Sequence, residues 1–125
     1  MYSKRLFIII LAACSALTQP KNCKKHFPGK WRYDDLPASK IYVIRTKKKQ
    51  FEYTEDGEYY FEYNIKWLTA CKYQMTFVKT NSPIPAIAKP GETLIVDILE
   101  IGQTTMQYKT VFRDKQETGS MTRIE

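Results

Sequence analysis

The sequence has one histidine in 125 residues, His26, and three cysteines, Cys14, Cys23 and Cys71. His26 stands in a basic stretch with no serine elbow and no acidic orienter beside it, so no nucleophile–base pair for acyl transfer can be assembled. Glycine-rich phosphate loops are missing, and Pro90-Gly91 reads as a turn. Paired C-x-x-C spacing is missing too, and a metal reading has only Cys23, His26 and Cys71 to draw on. No sustained 3.6-residue periodicity occurs, and with it goes any helix long enough to cover a sheet. Helix-turn-helix, zinc-finger and RNP patterns are all lacking. These absences point to a protein without catalysis, metal or cofactor.

Long apolar runs are also scarce. The one at the start, Leu6 to Ala13, is too short to cross a bilayer as a mature helix. Lys4 and Arg5 precede it and Cys14 follows directly, which is the arrangement of a secretory signal peptide. The stretch "LAAC", Leu11 to Cys14, resembles the lipobox of bacterial lipoproteins. That resemblance implies cleavage before Cys14, a diacylglycerol on its thiol, and a membrane partner reached through the N-terminal lipid. More than one buried acyl chain anchors stably, each CH₂ contributing about 0.8 kcal/mol. An ordinary signal peptide with an incidental cysteine is the plainer alternative. Ser15, not aspartate, follows the cysteine, so the resemblance implies the outer membrane of a Gram-negative bacterium, on its periplasmic or surface face. The expected division is a signal peptide over 1–13, a lipidated tether and basic arm over 14–28, and a β-barrel over 29–125.

The balance of 20 Lys+Arg against 13 Asp+Glu gives a formal charge of +7. Loss of Lys4 and Arg5 leaves the mature chain basic. An exported, lipidated protein does not meet the genome, so nucleic acid is not the expected partner. Much of the excess lies in "KNCKKHFPGKWR", Lys21 to Arg32, where it serves either as a solvated arm or as a contact with anionic head groups. With Cys14 lipidated, Cys23 and Cys71 remain as an even pair in an oxidising compartment, and a disulfide between them is expected. It would pin the arm to the body just before the first strand.

From Gly29 onward the period is two. "GKWRY" (Gly29 to Tyr33) alternates Trp31 with Tyr33, and "DDLPAS" breaks the pattern. "KIYVIRT" (Lys40 to Thr46) is rich in β-branched residues. "QFEYTE" (Gln50 to Glu55) sets Phe51 and Tyr53 on one side. Asp56-Gly57 suits a tight hairpin, because both positions tolerate positive φ. Tyr59, Phe61, Tyr63, Ile65 and Trp67 alternate along the next strand, and Cys71, Tyr73, Met75 and Phe77 along the one after. The proline-bearing stretch Lys79 to Glu92 is the longest loop. Thr93 to Ile101 resumes as a strand, and Met106, Tyr108, Thr110 and Phe112 share one face of the next. Arg113 to Gly119 reads as a turn before a short last strand, Ser120 to Ile124. The fold class is therefore all-β: eight antiparallel strands in an up-and-down meander. Closure into a barrel would remove the exposed edges of a flat sheet, with a two-sheet sandwich as the alternative.

"GKW", Gly29 to Trp31, resembles the Gly-x-Trp that opens the first strand of lipocalins and the wider calycin group. The resemblance implies that Trp31 closes one end of the barrel and that Arg123, in the final strand, packs across its ring. The chain from Asn22 also resembles short lipocalin-like lipoproteins of bacterial envelopes, in which a tryptophan, a cysteine and a tyrosine recur at the spacing of Trp67, Cys71 and Tyr73. A Thr-Asp-Tyr-like motif midway and a C-terminal helix are departures from the lipocalin pattern, since neither occurs.

Two functional classes fit. In a binding module, Tyr59, Phe61, Tyr63, Trp67, Tyr73, Met75 and Phe77 would line a calyx for a small apolar ligand. In an interaction protein the barrel would be solid and its surface would meet an anionic envelope component or another protein. Eight strands enclose little spare space and each ring buries about 150–250 Å², so the stripe reads as core first and pocket second. Glu58 and Glu62, in the opposite phase, read as an outer solvated face. Asp97 and Glu100 interrupt an apolar strand and read as outward or barrel-mouth carboxylates. A basic mature chain argues against inhibition of lysozymes, which are usually basic themselves.

Overall fold

The structure, a computed structural model, describes residues 22–35, 40–83 and 88–125. The expected signal peptide, the lipidated Cys14 and the middle of the proline-bearing loop lie outside the described residues. Eight strands follow one another: β1 (Gly29–Tyr33), β2 (Ile41–Arg45), β3 (Lys49–Thr54), β4 (Tyr60–Thr69), β5 (Lys72–Thr80), β6 (Thr93–Ile101), β7 (Thr105–Phe112) and β8 (Lys115–Arg123). Each pairs antiparallel with the next, and β8 returns to β1, closing the barrel. Every strand thus has two partners, which decides against the sandwich.

Period-two alternation supplies the core. Trp31 lies opposite both Val43 and Arg123, Tyr73 opposite Val96, and Met106 opposite Met121. Trp31, Val43, Met106 and Met121 are wholly buried, and Ile65, Met75 and Ile98 nearly so. Bulges at Glu62/Tyr63 and at Ile98/Glu100 let β4 and β6 bend around the cylinder, and the second keeps Glu100 outward beside Leu99 while Ile101 packs on the core.

Several local expectations change. β8 spans nine residues, because Arg113 and Asp114 alone make the turn, both at positive φ. Its polar outer residues look like a turn in sequence but pair with β7 along their whole length. Gly119 sits in that strand because a Cβ there would collide with the Tyr108 ring. At the other hairpin only Gly57 has positive φ; Asp56 instead accepts hydrogen bonds from Thr54 Oγ1 at 2.7 Å and the Glu58 amide at 3.0 Å. In β3 the side carrying Phe51 and Tyr53 is the outer one, and Gln50 and Glu52 face inward opposite Tyr63 and Phe61. Glu62 does face outward, yet it is only 9% exposed, because Lys49 Nζ lies 2.6 Å from its carboxylate. Asp97 also faces outward, 3.5 Å from Lys72.

The lower end of the barrel, where β1 begins and β8 ends, is plugged. A short 3₁₀ turn, Cys23–Lys25, leads to Phe27, whose ring meets Trp67 and Tyr73 edge-on, each at 4.9 Å. Cys23 is bonded to Cys71 in the β4–β5 turn. The Arg123 guanidinium lies 4.3 Å over the Trp31 ring and donates to the backbone carbonyls of Gln103, Pro28 and His26. Trp31 Nε1 donates to the Phe27 carbonyl at 3.0 Å. Gly29, at φ 134°, is required here, because any Cβ would strike the Arg123 guanidinium.

The Cys23–Cys71 bridge joins residues 48 positions apart, so it restricts the unfolded chain strongly. Replacing both cysteines with serine is expected to cost about 2–4 kcal/mol in urea or guanidinium denaturation while leaving the β spectrum of the native state intact.

Candidate functional site

Above the plug the barrel is not filled with apolar side chains. Arg45, at the end of β2, points inward and is 4% exposed. Its Nε donates to Gln50 Oε1 at 2.9 Å, Nη1 to the Met106 sulfur at 3.2 Å, and Nη2 to the Tyr73 hydroxyl at 3.4 Å and the Met121 sulfur at 3.2 Å. Its planar face stacks 4.4 Å from Phe27, an attraction strengthened by the lack of water around it. The charge is therefore held by an amide, a hydroxyl, sulfurs and rings, with no carboxylate of the described residues in ion-pair contact.

Gln50 relays upward from this guanidinium. Its Nε2 donates to Glu52 Oε2 at 3.0 Å, and the Tyr33 hydroxyl donates to the same oxygen at 2.5 Å. Glu52 on β3 and Tyr33 on β1 face the interior from either side of β2, and Tyr108 meets Tyr33 edge-on at 6.5 Å. Among the described residues no fully buried side-chain nitrogen or oxygen lacks a partner.

Beside this network lies a cavity of about 320 Å³, bounded by Tyr33, Glu52, Tyr63, Tyr108, Met75 and Leu94 and floored by Arg45. Of the residues expected to line a pocket, Tyr63, Tyr73 and Met75 do so. Trp67 instead packs against the plug, donating Nε1 to the Lys47 carbonyl at 2.9 Å, with Tyr73 5.1 Å away. Phe77 is buried against Tyr63 at 5.5 Å; Tyr59, just before β4, and Phe61, near its start, are not part of the cavity wall. The expected closing residues Gly29, Trp31 and Arg123 are brought together at the opposite end.

Arg45, Gln50, Glu52, Tyr33 and Phe27 have no counterpart among the sequence-derived candidates. The signal for Arg45 is its place two residues after Val43 in an alternating strand. Gln50 and Glu52 are hidden because the larger rings of β3, Phe51 and Tyr53, occupy the phase that faces outward.

The enclosure shifts the ionisable groups. Burial raises the Glu52 carboxyl above the ordinary range, against the opposing pull of hydrogen bonds from Tyr33 and Gln50 and of the Arg45 charge. Burial, and then the neighbouring Glu52, push the Tyr33 hydroxyl well up, and burial pushes Tyr108 up to about 12.

Neither a protein-family model, nor a curated protein, nor a solved structure matches the chain. Its class rests on its own geometry: an eight-stranded closed antiparallel barrel, compatible with a lipocalin-like fold, plugged at one end and hollow above.

The Glu52 shift has a definite sign. The folded chain holds this proton more tightly than the unfolded chain, whose carboxyl titrates at about 4.3. The stabilisation is complete below that value and is lost as pH rises through the folded value. Glu52→Gln is expected to flatten this decline, so that stability measured by denaturant at pH 7 gains on the parent relative to pH 4.

Proposed function

We propose that this chain is a lipocalin-like binding protein of the bacterial envelope, anchored through a lipid on Cys14, and that it holds a small molecule in the upper half of its barrel without transforming it. The observation that carries the reading is the 320 Å³ cavity inside a closed barrel whose other end is sealed. Cavities of this size sit at the lower end of those that take small ligands, at about 300–1,000 Å³. Export is supported by the signal-like start and by the disulfide, which suits an oxidising compartment. The lipid anchor is supported by "LAAC" at Leu11 to Cys14. The tight lower core favours a rigid cup over a flexible one.

Native mass spectrometry of the chain purified from envelopes tests the binding reading: a retained small molecule, released on acid unfolding, is the expected result. A barrel that carries nothing and fails to take up any small-molecule probe would mean a structural or interaction role instead. Globomycin treatment should leave an unprocessed precursor if Cys14 is lipidated.

A second reading has its own observation. Tyr42, Phe51, Tyr53 and Tyr60 form an outer strip across β2 to β4, with Tyr42 and Tyr53 stacked at 5.3 Å and Lys30 4.7 Å over the Tyr42 ring. Ile44 beside them is 38% exposed. Rings interleaved with lysines suit the headgroup level of an anionic bilayer. The Phe51→Ser/Tyr53→Ser double variant is expected to lose several-fold in co-sedimentation with vesicles rich in phosphatidylglycerol, with small-molecule uptake unchanged.

A further inference from the structure

The chain is basic overall, at +7, yet the charge that its cavity offers to a ligand is negative. Arg45 forms part of the floor, but it is 4% exposed and each of its guanidinium nitrogens already donates to Gln50, Tyr73, Met106 or Met121. Glu52 is different. Both of its hydrogen bonds, from Tyr33 and Gln50, fall on Oε2. Oε1 accepts nothing among the described residues, and since no buried oxygen there lacks a partner, Oε1 is open to the cavity. A second carboxylate, Glu117, borders the same cavity from β8, opposite Thr110 and nearer the mouth.

Around Glu52 stand the rings of Tyr33, Tyr63 and Tyr108, with Met75 and Leu94 completing the wall. Tyrosine faces carry negative potential and attract cations, most strongly where water is excluded. Neither Tyr63 nor Tyr108 spends its hydroxyl on a protein partner among the described residues, and both residues line the cavity. An acyl carboxylate or phosphate would meet Glu52 and Glu117 with like charge and would find the one cation already covered. A neutral apolar molecule would leave Glu52 Oε1 without a partner when water is expelled, which is costly.

We propose that the cavity selects a small organic cation: a primary ammonium on an aromatic or short apolar body of about a dozen non-hydrogen atoms, a size suited to a pocket at the low end of the usual range. The ammonium lies against Glu52 Oε1 and donates to the tyrosine hydroxyls, while the body packs among Tyr108, Met75 and Leu94. This inference rests on the binding reading above and adds the ligand's charge to it.

The test uses the full chain purified in detergent and three probes of one shape: 2-phenylethylamine, 2-phenylethanol and 3-phenylpropionate. Isothermal titration is expected to show the amine binding about tenfold or more tightly than either of the others, as a charge-assisted hydrogen bond and cation–π contacts together would give. Glu52→Gln should bring the amine down to the level of the alcohol and leave the alcohol where it was. Equal affinity for all three, or preference for the carboxylate, overturns the inference and leaves the calyx standing. Binding of none of them, with no other small molecule retained, overturns both. The comparison of probes on the unaltered chain decides the matter even if the variant fails to fold.

Discussion

Arg45 is a guanidinium buried inside a closed barrel, and the interior is organised around that charge. Below it, Phe27 and Trp31 offer their ring faces, at 4.4 and 5.8 Å. Around it, Met106 and Met121 turn their sulfurs and Tyr73 its hydroxyl towards its nitrogens. Above it, Gln50 takes one of its hydrogens and passes the polarity on to Glu52 and Tyr33. A buried charge is tolerated only where every donor finds an acceptor. Meeting that condition filled the middle of the barrel with polar groups of fixed geometry.

The two halves of the cylinder differ for the same reason. The lower half is sealed by rings, a disulfide and the Arg123 guanidinium stacked on Trp31, with its hydrogens spent on loop carbonyls. Among the described residues the space above Arg45, beside the Gln50–Glu52–Tyr33 layer, stays open. Hydrogen-bonded polar side chains cannot slide into a void as a leucine would without losing partners. A hydrogen-bonded polar layer therefore keeps a cavity open in a barrel small enough to be filled.

The proposed roles share out the surface accordingly. Under the binding reading the interior takes a small molecule, while the outer strip of Tyr42, Phe51, Tyr53 and Tyr60 with Lys30 stays available for the bilayer to which the tether would lead. At the upper end Arg113 holds Glu92 in a two-pronged ion pair, fixing the approach to β6 beside the β7–β8 turn. That contact, with hydrogen bonding from the Lys89 amide, lowers the Glu92 carboxyl to about 2.

Strand number, order and most of the inward phase followed from the sequence alone, because alternation is local: Trp31, Tyr63, Tyr73, Met75, Met106 and Tyr108 carry their facing in their spacing. The pairing of Cys23 with Cys71 and the stacking of Arg123 on Trp31 were readable from cysteine arithmetic and from a three-residue resemblance. What alternation cannot say is which of two phases faces inward when both hold large or polar residues. In β3 the rings of Phe51 and Tyr53 face out and Gln50 and Glu52 face in, since pairing with β2 and β4 ties that strand's register to Val43, Arg45 and Tyr63. Burying Gln50 and Glu52 is favourable only beside Arg45 and Tyr33, which arrive from other strands. The polar interior and its cavity were therefore decided by closure of the barrel, because the partners that satisfy each buried group are distant in the chain.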